Sequence, residues 1–276
     1  MSKPARFFSE RKMPEGHTVH RIADHFDRDF VGNPVFITSP QGRFSQSARL
    51  LSGQVLCRSY AVGKQMFLEF AGGSTIRIHL GIYGKWQFHK SPGDHPVIGQ
   101  VRVRFSTDGV SADLRGPTVC EVLESEQVQE VLNRLGPDPI NPNPRSKESA
   151  RFIERAQKSK SAIGLLLMNQ DVIAGIGNVY RAELLFRAGI SPHRPGLSLT
   201  KDELQALWDD SVKLLRVGVA TGFMITRDEL FKKRPNKDER NWVYKREGQP
   251  CRKCGTEVRI EIMASRKLYW CPGCQK

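Results

Sequence analysis

Two hydrophobic periods succeed one another along the chain, and the change of period divides it. Near the start, Val19, Ile22, Ala23 and Phe26 recur at i, i+3, i+4 and i+7, one face of a helix over residues 17–30, with Gly32 just beyond its end. The period then falls to two. Val101, Val103 and Phe105 alternate with Arg102 and Arg104 before the hairpin signal Asp108-Gly109, and Gly72-Gly73 separates residues 66–70 from residues 75–80 in the same way. Residues 14–135 therefore predict an antiparallel β-sandwich with a leading helix.

The run Gly136-Pro137-Asp138-Pro139-Ile140-Asn141-Pro142-Asn143-Pro144 interrupts this pattern, and residues 136–146 read as a linker: its prolines remove amide donors and bias the chain to extended conformations. Over residues 147–222 the period is helical. Thr200-Lys201-Asp202-Glu203 is a capping box, followed by the core-facing stripe Leu204, Leu207, Trp208, Val212 and Leu215. Before it, residues 163–168 and 179–187 predict two helices around the glycine-bearing turn 170–177. Residues 223–245 are charged and aperiodic, and predict a mobile loop. No internal repeat is found. The expected architecture is α+β and multidomain, closing with a small module over residues 246–276.

Charge points to the partner. The formal net charge is +14, and from Ile225 to Lys276 there are 14 Lys and Arg against 7 Asp and Glu, so a net +7 sits in the last fifth of the chain. Clustered cations gain affinity for polyanions by releasing counterions from phosphates, which makes nucleic acid the expected partner. A membrane surface competes poorly, because no basic amphipathic helix with a broad apolar face is present. No run of eighteen apolar residues exists, and residues 1–12 lack the apolar stretch of a secretory signal, so a soluble intracellular protein is expected.

Four of the six cysteines form the pairs Cys251-x-x-Cys254 and Cys271-x-x-Cys274, sixteen residues apart. In a chain without an export signal this spacing reads as one structural tetrathiolate zinc site rather than as two disulfides. Residues 257–262 and 267–270 between the pairs suit a hairpin. Four sulfur ligands leave no open position for chemistry, so the zinc is expected to hold the fold of a module with almost no core of its own. Arg252, Lys253, Arg259, Arg266 and Lys267 stud this ribbon, as a groove or backbone contact requires, although any one of them could equally be a solvated surface residue.

Three motifs, in order, carry a family resemblance. Pro14-Glu15-Gly16-His17-Thr18-Val19-His20-Arg21 resembles the mature amino terminus of the endonuclease VIII branch of the formamidopyrimidine-DNA glycosylase superfamily. Ala174-Gly175-Ile176-Gly177-Asn178-Val179-Tyr180 resembles its helix-two-turns-helix element, and Ser265-Arg266-Lys267-Leu268-Tyr269-Trp270-Cys271-Pro272-Gly273-Cys274-Gln275 its zinc finger. The resemblance implies a monomeric enzyme, cytoplasmic and nucleoid-associated in a bacterium, that excises oxidised bases from damaged DNA and then cleaves the strand by β/δ-elimination.

It also implies residue roles that the chemistry makes sensible. A terminal Pro14 would be a secondary amine with a pKa near or below about 8, partly neutral and able to attack the sugar C1′ as amine nucleophiles do. A helix beginning just after it disfavours the protonated amine. Glu15 matches the acid that protonates the sugar ring oxygen. Lys64 matches a lysine that holds the phosphate beside the lesion and moves a proton during elimination. Asn178, opening a helix, matches a phosphate ligand, and Arg266 the finger arginine linked to the second elimination. Arg134 corresponds to a further DNA contact. Gly81, Ile82 and Tyr83 occupy the turn whose apolar wedge fills the space a displaced base vacates. Taken singly, most of these residues have plainer explanations: proline commonly starts helices, and a lone lysine in a turn is usually only solvated.

The chain also departs from the pattern. Residues 1–12 and Met13 precede Pro14, and an internal proline has no nucleophilic lone pair. A start at Met13 with removal of that methionine, other processing, or an enzyme disabled by its extension would each account for this, and Met13 favours the first. Gly81 stands where endonuclease VIII proteins often have glutamine. No Arg-x-Phe pattern of the oxidised-purine branch follows Asp113-Leu114-Arg115-Gly116, which favours oxidised pyrimidines. A non-catalytic, damage-sensing DNA-binding protein and an oxidised-purine glycosylase are the alternatives.

Overall fold

The computed structural model describes residues 14–90, 95–141 and 147–276. The expected extension over residues 1–13 and the last part of the expected linker lie outside them. The leading helix α1 (Gly16–Asp29) forms as its periodicity predicts and drives Phe26 into an aromatic cluster with Phe30, Trp86, Phe88 and Phe105, at ring separations of 4.5–5.7 Å.

Eight strands follow: β1 (Pro34–Thr38), β2 (Gln54–Val62), β3 (Gln65–Phe70), β4 (Thr75–His79), β5 (Lys85–His89), β6 (Val101–Ser106), β7 (Ser111–Arg115) and β8 (Val119–Leu123). Their order is β5-β7-β6-β1-β2-β3-β4-β8, all antiparallel. Only Pro34–Val55 and Val35–Gln54 pair β1 with β2. The order thus splits at its middle into two four-stranded layers, the sandwich that the alternation predicts. Between them lie Val35, Leu56, Met66, Leu68, Ile76, Ile78, Val103 and Leu114, all fully buried. Two short helices escaped the sequence reading. In α2 (Ser45–Leu51) only Ala48 and Leu51 are buried, and α3 (Ser125–Arg134) covers Phe67 with Val128, Val131 and Leu132.

The helical half contains α4 (Glu148–Gln157), α5 (Ile163–Leu166), α6 (Asn178–Ala188) and α7 (Lys201–Thr221). The capping box of α7 is made as expected: Glu203 N donates to Thr200 Oγ1 at 3.1 Å and Thr200 N to Glu203 Oε2 at 2.8 Å. Every residue of α6 from Asn178 to Phe186 is buried, so it is the central helix rather than an amphipathic one. The closing hairpin pairs β9 (Arg259–Met263) with β10 (Arg266–Trp270) through Ala264 and Ser265, both left-handed, as a two-residue hairpin turn requires. No helix among the described residues is long and apolar enough to cross a membrane.

Two segments differ from their reading. The first half of the linker is fastened down: Gly136 N donates to Gln170 O, Ala174 N to Pro137 O, and Asp138 is buried. Its composition reports an intrinsic bias, which long-range bonds override. The stretch read as a mobile loop has only two short 3₁₀ turns, yet Glu183 of α6 grips both its ends. The Glu183 carboxylate accepts the Thr226 hydroxyl at 2.5 Å and the backbone N–H groups of Trp242, Val243 and Tyr244 at 2.7–2.9 Å. Arg187 adds ion pairs to Asp210 and Asp228.

Candidate active site

Three glycines let three segments meet backbone to backbone. Gly16 N donates to Gly175 O at 2.8 Å, and a Cβ on Gly16 would lie 2.8 Å from Gly175 Cα. Gly63, with φ of +58°, packs against Ala174, where a Cβ would come within 2.7 Å of the alanine side chain. Helix α1, the β2–β3 turn and the turn before α6 are thereby locked together, which brings their neighbours Pro14, Glu15, Lys64 and Asn178 to one place.

That place is a cleft of about 240 Å³, lined by Pro14, Glu15, Lys64, Gly81, Ile82, Asn178 and Arg266 among others. Seven residues singled out in the sequence thus converge from the start, middle and end of the chain. Tyr83 and Arg134 do not line it. Arg134 is exposed on the last turn of α3, and Tyr83 is 63% exposed.

Glu15 is buried, and its carboxylate closes the amino end of α6: Oε2 accepts Gly177 N at 2.9 Å and Oε1 accepts Val179 N at 2.8 Å. These bonds and the Lys64 charge favour the ionised form, but burial outweighs them and raises the carboxyl above its usual range. The residue therefore holds its proton more readily than a surface glutamate. Lys64 donates to Ile176 O at 2.6 Å. Burial lowers its ammonium to about 8, Glu15 opposes that shift and Arg266 adds to it.

Asn178 does not present a free side chain. Its Nδ2 donates to Lys267 O at 2.8 Å and its Oδ1 accepts from Arg181, so it ties α6 to the zinc hairpin. This places Arg266, the first residue of β10, in the cleft.

Sequence reasoning missed Asp138, Gln170 and His20. Asp138 Oδ2 accepts both His20 Nε2 and Gly63 N at 2.8 Å, fixing the residue before Lys64 to α1. Gln170 spans its turn, with Nε2 donating to Ile176 O and Oε1 accepting Gly175 N, both at 3.0 Å. An acid between two prolines was the available signal for Asp138, and it was absorbed into the linker reading.

The four cysteine sulfurs lie within 4.8 Å of one another, with Cys251 and Cys274 Sγ 3.8 Å apart and Cys254 and Cys271 Sγ 3.5 Å apart. A disulfide needs about 2.05 Å. A tetrahedron with Zn–S bonds of about 2.3 Å has edges of roughly 3.8 Å, so the cluster fits one closed zinc site.

Comparison with known proteins agrees at every scale. Residues 13–119 match the formamidopyrimidine-DNA glycosylase N-terminal domain, residues 135–229 its H2TH domain, and residues 248–276 the zinc finger found in FPG and IleRS. Endonuclease 8 1 of Mycobacterium bovis is 45% identical over 95% of this chain and 100% of its own length. Endonuclease 8 of Escherichia coli is 31% identical over the same shares. The fold superposes on Lactococcus lactis formamido-pyrimidine DNA glycosylase bound to an AP site containing DNA, with a TM-score of 0.80 at 22% identity, covering 95% of this chain and 99% of that one. Fold and site together define a DNA glycosylase and AP lyase of base excision repair. The chain belongs to the formamidopyrimidine-DNA glycosylase and endonuclease VIII superfamily.

Proposed function

We propose that the protein, when residue 14 carries a free amine, removes oxidised pyrimidines from DNA through a Schiff base on Pro14 and cleaves the strand by β- and δ-elimination. The carrying observation is the convergence of Pro14, Glu15, Lys64 and Arg266 on one cleft. The Pro14 nitrogen attacks C1′, the glycosidic bond breaks with its electron pair leaving on the base, and the base takes up the proton that the new C1′-bound nitrogen sheds. Glu15 gives its proton to the ring oxygen, which opens the sugar and leaves a C1′ iminium. That iminium acidifies C2′–H; Lys64, poised near neutrality, takes the proton, and the 3′ phosphate departs with the C3′–O electron pair. Arg266 stabilises the departing phosphates, including the 5′ phosphate lost in the second elimination, and water then releases Pro14.

A displaced base needs a pocket. A second cavity of about 390 Å³ adjoins Pro14 and Glu15, walled by Phe223, Met224, Asn241 and Tyr244, and supports this reading. In it the segment over 223–245 closes over the extruded base. The cysteine cluster holds one structural zinc, and the enzyme works as a cytoplasmic monomer. The missing Arg-x-Phe pattern favours pyrimidines over purines.

Borohydride trapping tests this directly. Protein whose terminus is verified by mass spectrometry as Pro14 should form a covalent adduct with abasic duplex, and protein retaining residues 1–13 should not. Equal trapping by both, or none by the Pro14 form, overturns the mechanism. A panel of thymine glycol, dihydrouracil and 8-oxoguanine duplexes tests the lesion class, and faster excision of the purine would reverse it.

A further inference from the structure

The cavity beside Pro14 and Glu15 carries positive charge that its own walls do not cancel. Three arginines line it: Arg240 from the segment over 223–245, and Arg246 and Arg252 from the start of the finger module. Arg240 Nε donates to Pro235 O at 3.2 Å and Arg252 Nη2 to Asp238 O at 2.8 Å. Arg246 donates to Trp242 O at 2.8 Å, Pro250 O at 3.0 Å and Gln249 Oε1 at 3.1 Å. Every one of these acceptors is a neutral oxygen, which satisfies an N–H group without cancelling the charge behind it. Arginines elsewhere in the chain face carboxylates: Arg104 pairs with Asp113, Arg187 with Asp210 and Arg194 with Glu203. Lys237 and Lys245 also line the cavity, and its acids among the described residues are Glu15 and Asp238, so five cations face two acids.

We propose that Arg240, Arg246 and Arg252 hold the departing base as an anion, so that the cavity supplies the counter-charge for the electron pair of the broken glycosidic bond. The proposal rests on the glycosylase reading above.

A DNA phosphate is the other anion such a site could take, and the geometry favours the base. Arg246 is buried, where a strand backbone running over the surface does not reach. Arg240 is half-buried and its guanidinium carbon lies 4.2 Å from the centroid of the Phe223 ring, so its charge is held at an aromatic wall. Phe223, Met224 and Tyr244 give the cavity surfaces suited to a flat ring rather than to a phosphodiester. The cations are already fixed by backbone carbonyls, so they need no rearrangement as charge develops. In the step itself the C1′–N electron pair passes to the ring, and the anion is held until it takes up the proton shed by the Pro14 nitrogen. A saturated ring such as dihydrouracil spreads that charge poorly, whereas 5-hydroxyuracil spreads it over a conjugated ring. The cavity should therefore assist the poorer leaving group more.

The test measures single-turnover excision of dihydrouracil, thymine glycol and 5-hydroxyuracil, each rate divided by the same protein's borohydride-trapping rate on abasic duplex. That division removes any contribution to phosphate binding. R240Q/R252Q loses two charges and keeps amide donors for Pro235 O and Asp238 O. Its normalised rate should fall about tenfold on dihydrouracil and only about twofold on 5-hydroxyuracil, the effect of charges lost from a partly dry site. R240K/R252K keeps the charges and should stay within about threefold of wild type on all three. No normalised fall would mark the arginines as phosphate contacts, and an equal fall on all three lesions would mark them as shaping the pocket; either result overturns the proposal. Should the double variant not fold, wild type alone decides. Free barbituric acid, an anion at neutral pH, should inhibit dihydrouracil excision at about tenfold lower concentration than free dihydrouracil does. Inorganic phosphate at that concentration should not inhibit. Equal potency of the two pyrimidines, or equal inhibition by phosphate, overturns the proposal. A wild-type protein that neither cuts nor traps any duplex overturns the glycosylase reading itself, and this inference with it.

Discussion

Burial acts in opposite directions on the two ionisable groups beside Pro14. It raises the Glu15 carboxyl, as the proposed donation of a proton to the sugar oxygen requires, and lowers the Lys64 ammonium to about 8, so roughly one lysine in ten is neutral at pH 7. Strand breakage per trapped imine, a ratio that divides out the ionisation of Pro14, should therefore climb as pH rises through about 8 and then level. In K64R the side chain stays charged, so this limb should vanish and the rate fall about 10²–10⁴-fold. A limb that persists in K64R would remove Lys64 from the proton transfer. Glu15 has a second, structural task. Gly177 N and Val179 N each donate to a different carboxylate oxygen, so E15Q must turn an NH₂ group against one of them. Urea unfolding should show a loss of about 1–3 kcal/mol. Because the folded pKa is raised, the wild-type carboxyl loses stabilising effect as pH climbs through it, and glutamine does not titrate. The gap between the two proteins should accordingly narrow with rising pH.

At the scale of elements, the joints are made by buried acids that sequence pattern does not reveal. Asp138 ties helix α1 to the β2–β3 turn from inside a proline-rich connector, and D138A would leave His20 and Gly63 N without their acceptor. The expected destabilisation is about 2–5 kcal/mol, read from the urea midpoint, with loss of turnover as Lys64 drifts from Pro14. Stability within 0.5 kcal/mol of wild type would show the connector to be a passive spacer after all. Helix α1, the β6–β7 hairpin and the α7 capping box were legible because each is written within a few neighbouring residues. The fastening of residues 136–141 was not, because His20 and Asp138 stand 118 positions apart. Nor was the grip on residues 242–244, which comes from Glu183, about sixty positions away on a helix buried on every side. Lys64 was found through the family motif alone. Its neighbourhood in the sequence is an ordinary turn, and its perturbing neighbours Glu15 and Arg266 are distant in the chain.

For the whole molecule, the consequential division is between the side of the cleft that holds the proposed nucleophile and the side that carries the finger. Pro14, Glu15 and Lys64 belong to the sandwich, and their positions depend on glycine contacts and Asp138 rather than on the cysteines. Arg266 belongs to a module whose small core of Val258, Tyr269, Cys251 and Cys271 is completed by Phe186 and Ala182 of α6. A module that borrows its core needs its metal. Chelation should release one zinc per chain and open the C-terminal segment to protease near residue 246. It should also displace Arg252, Lys253, Arg259, Arg266 and Lys267, the cations of the ribbon, together. Each phosphate contact contributes about −0.9 to the slope of log K against log salt. If three of these five cations touch phosphate, the chelated protein should show a slope shallower by roughly 2.7 and correspondingly weaker binding at low salt. Imine trapping at saturating protein should survive, because the amine and its acid are untouched, whereas the second elimination should fail without Arg266. Trapping lost in step with zinc would mean that the finger organises Pro14 itself. An unchanged salt slope would mean that the cationic ribbon, for all its charge, never meets the backbone.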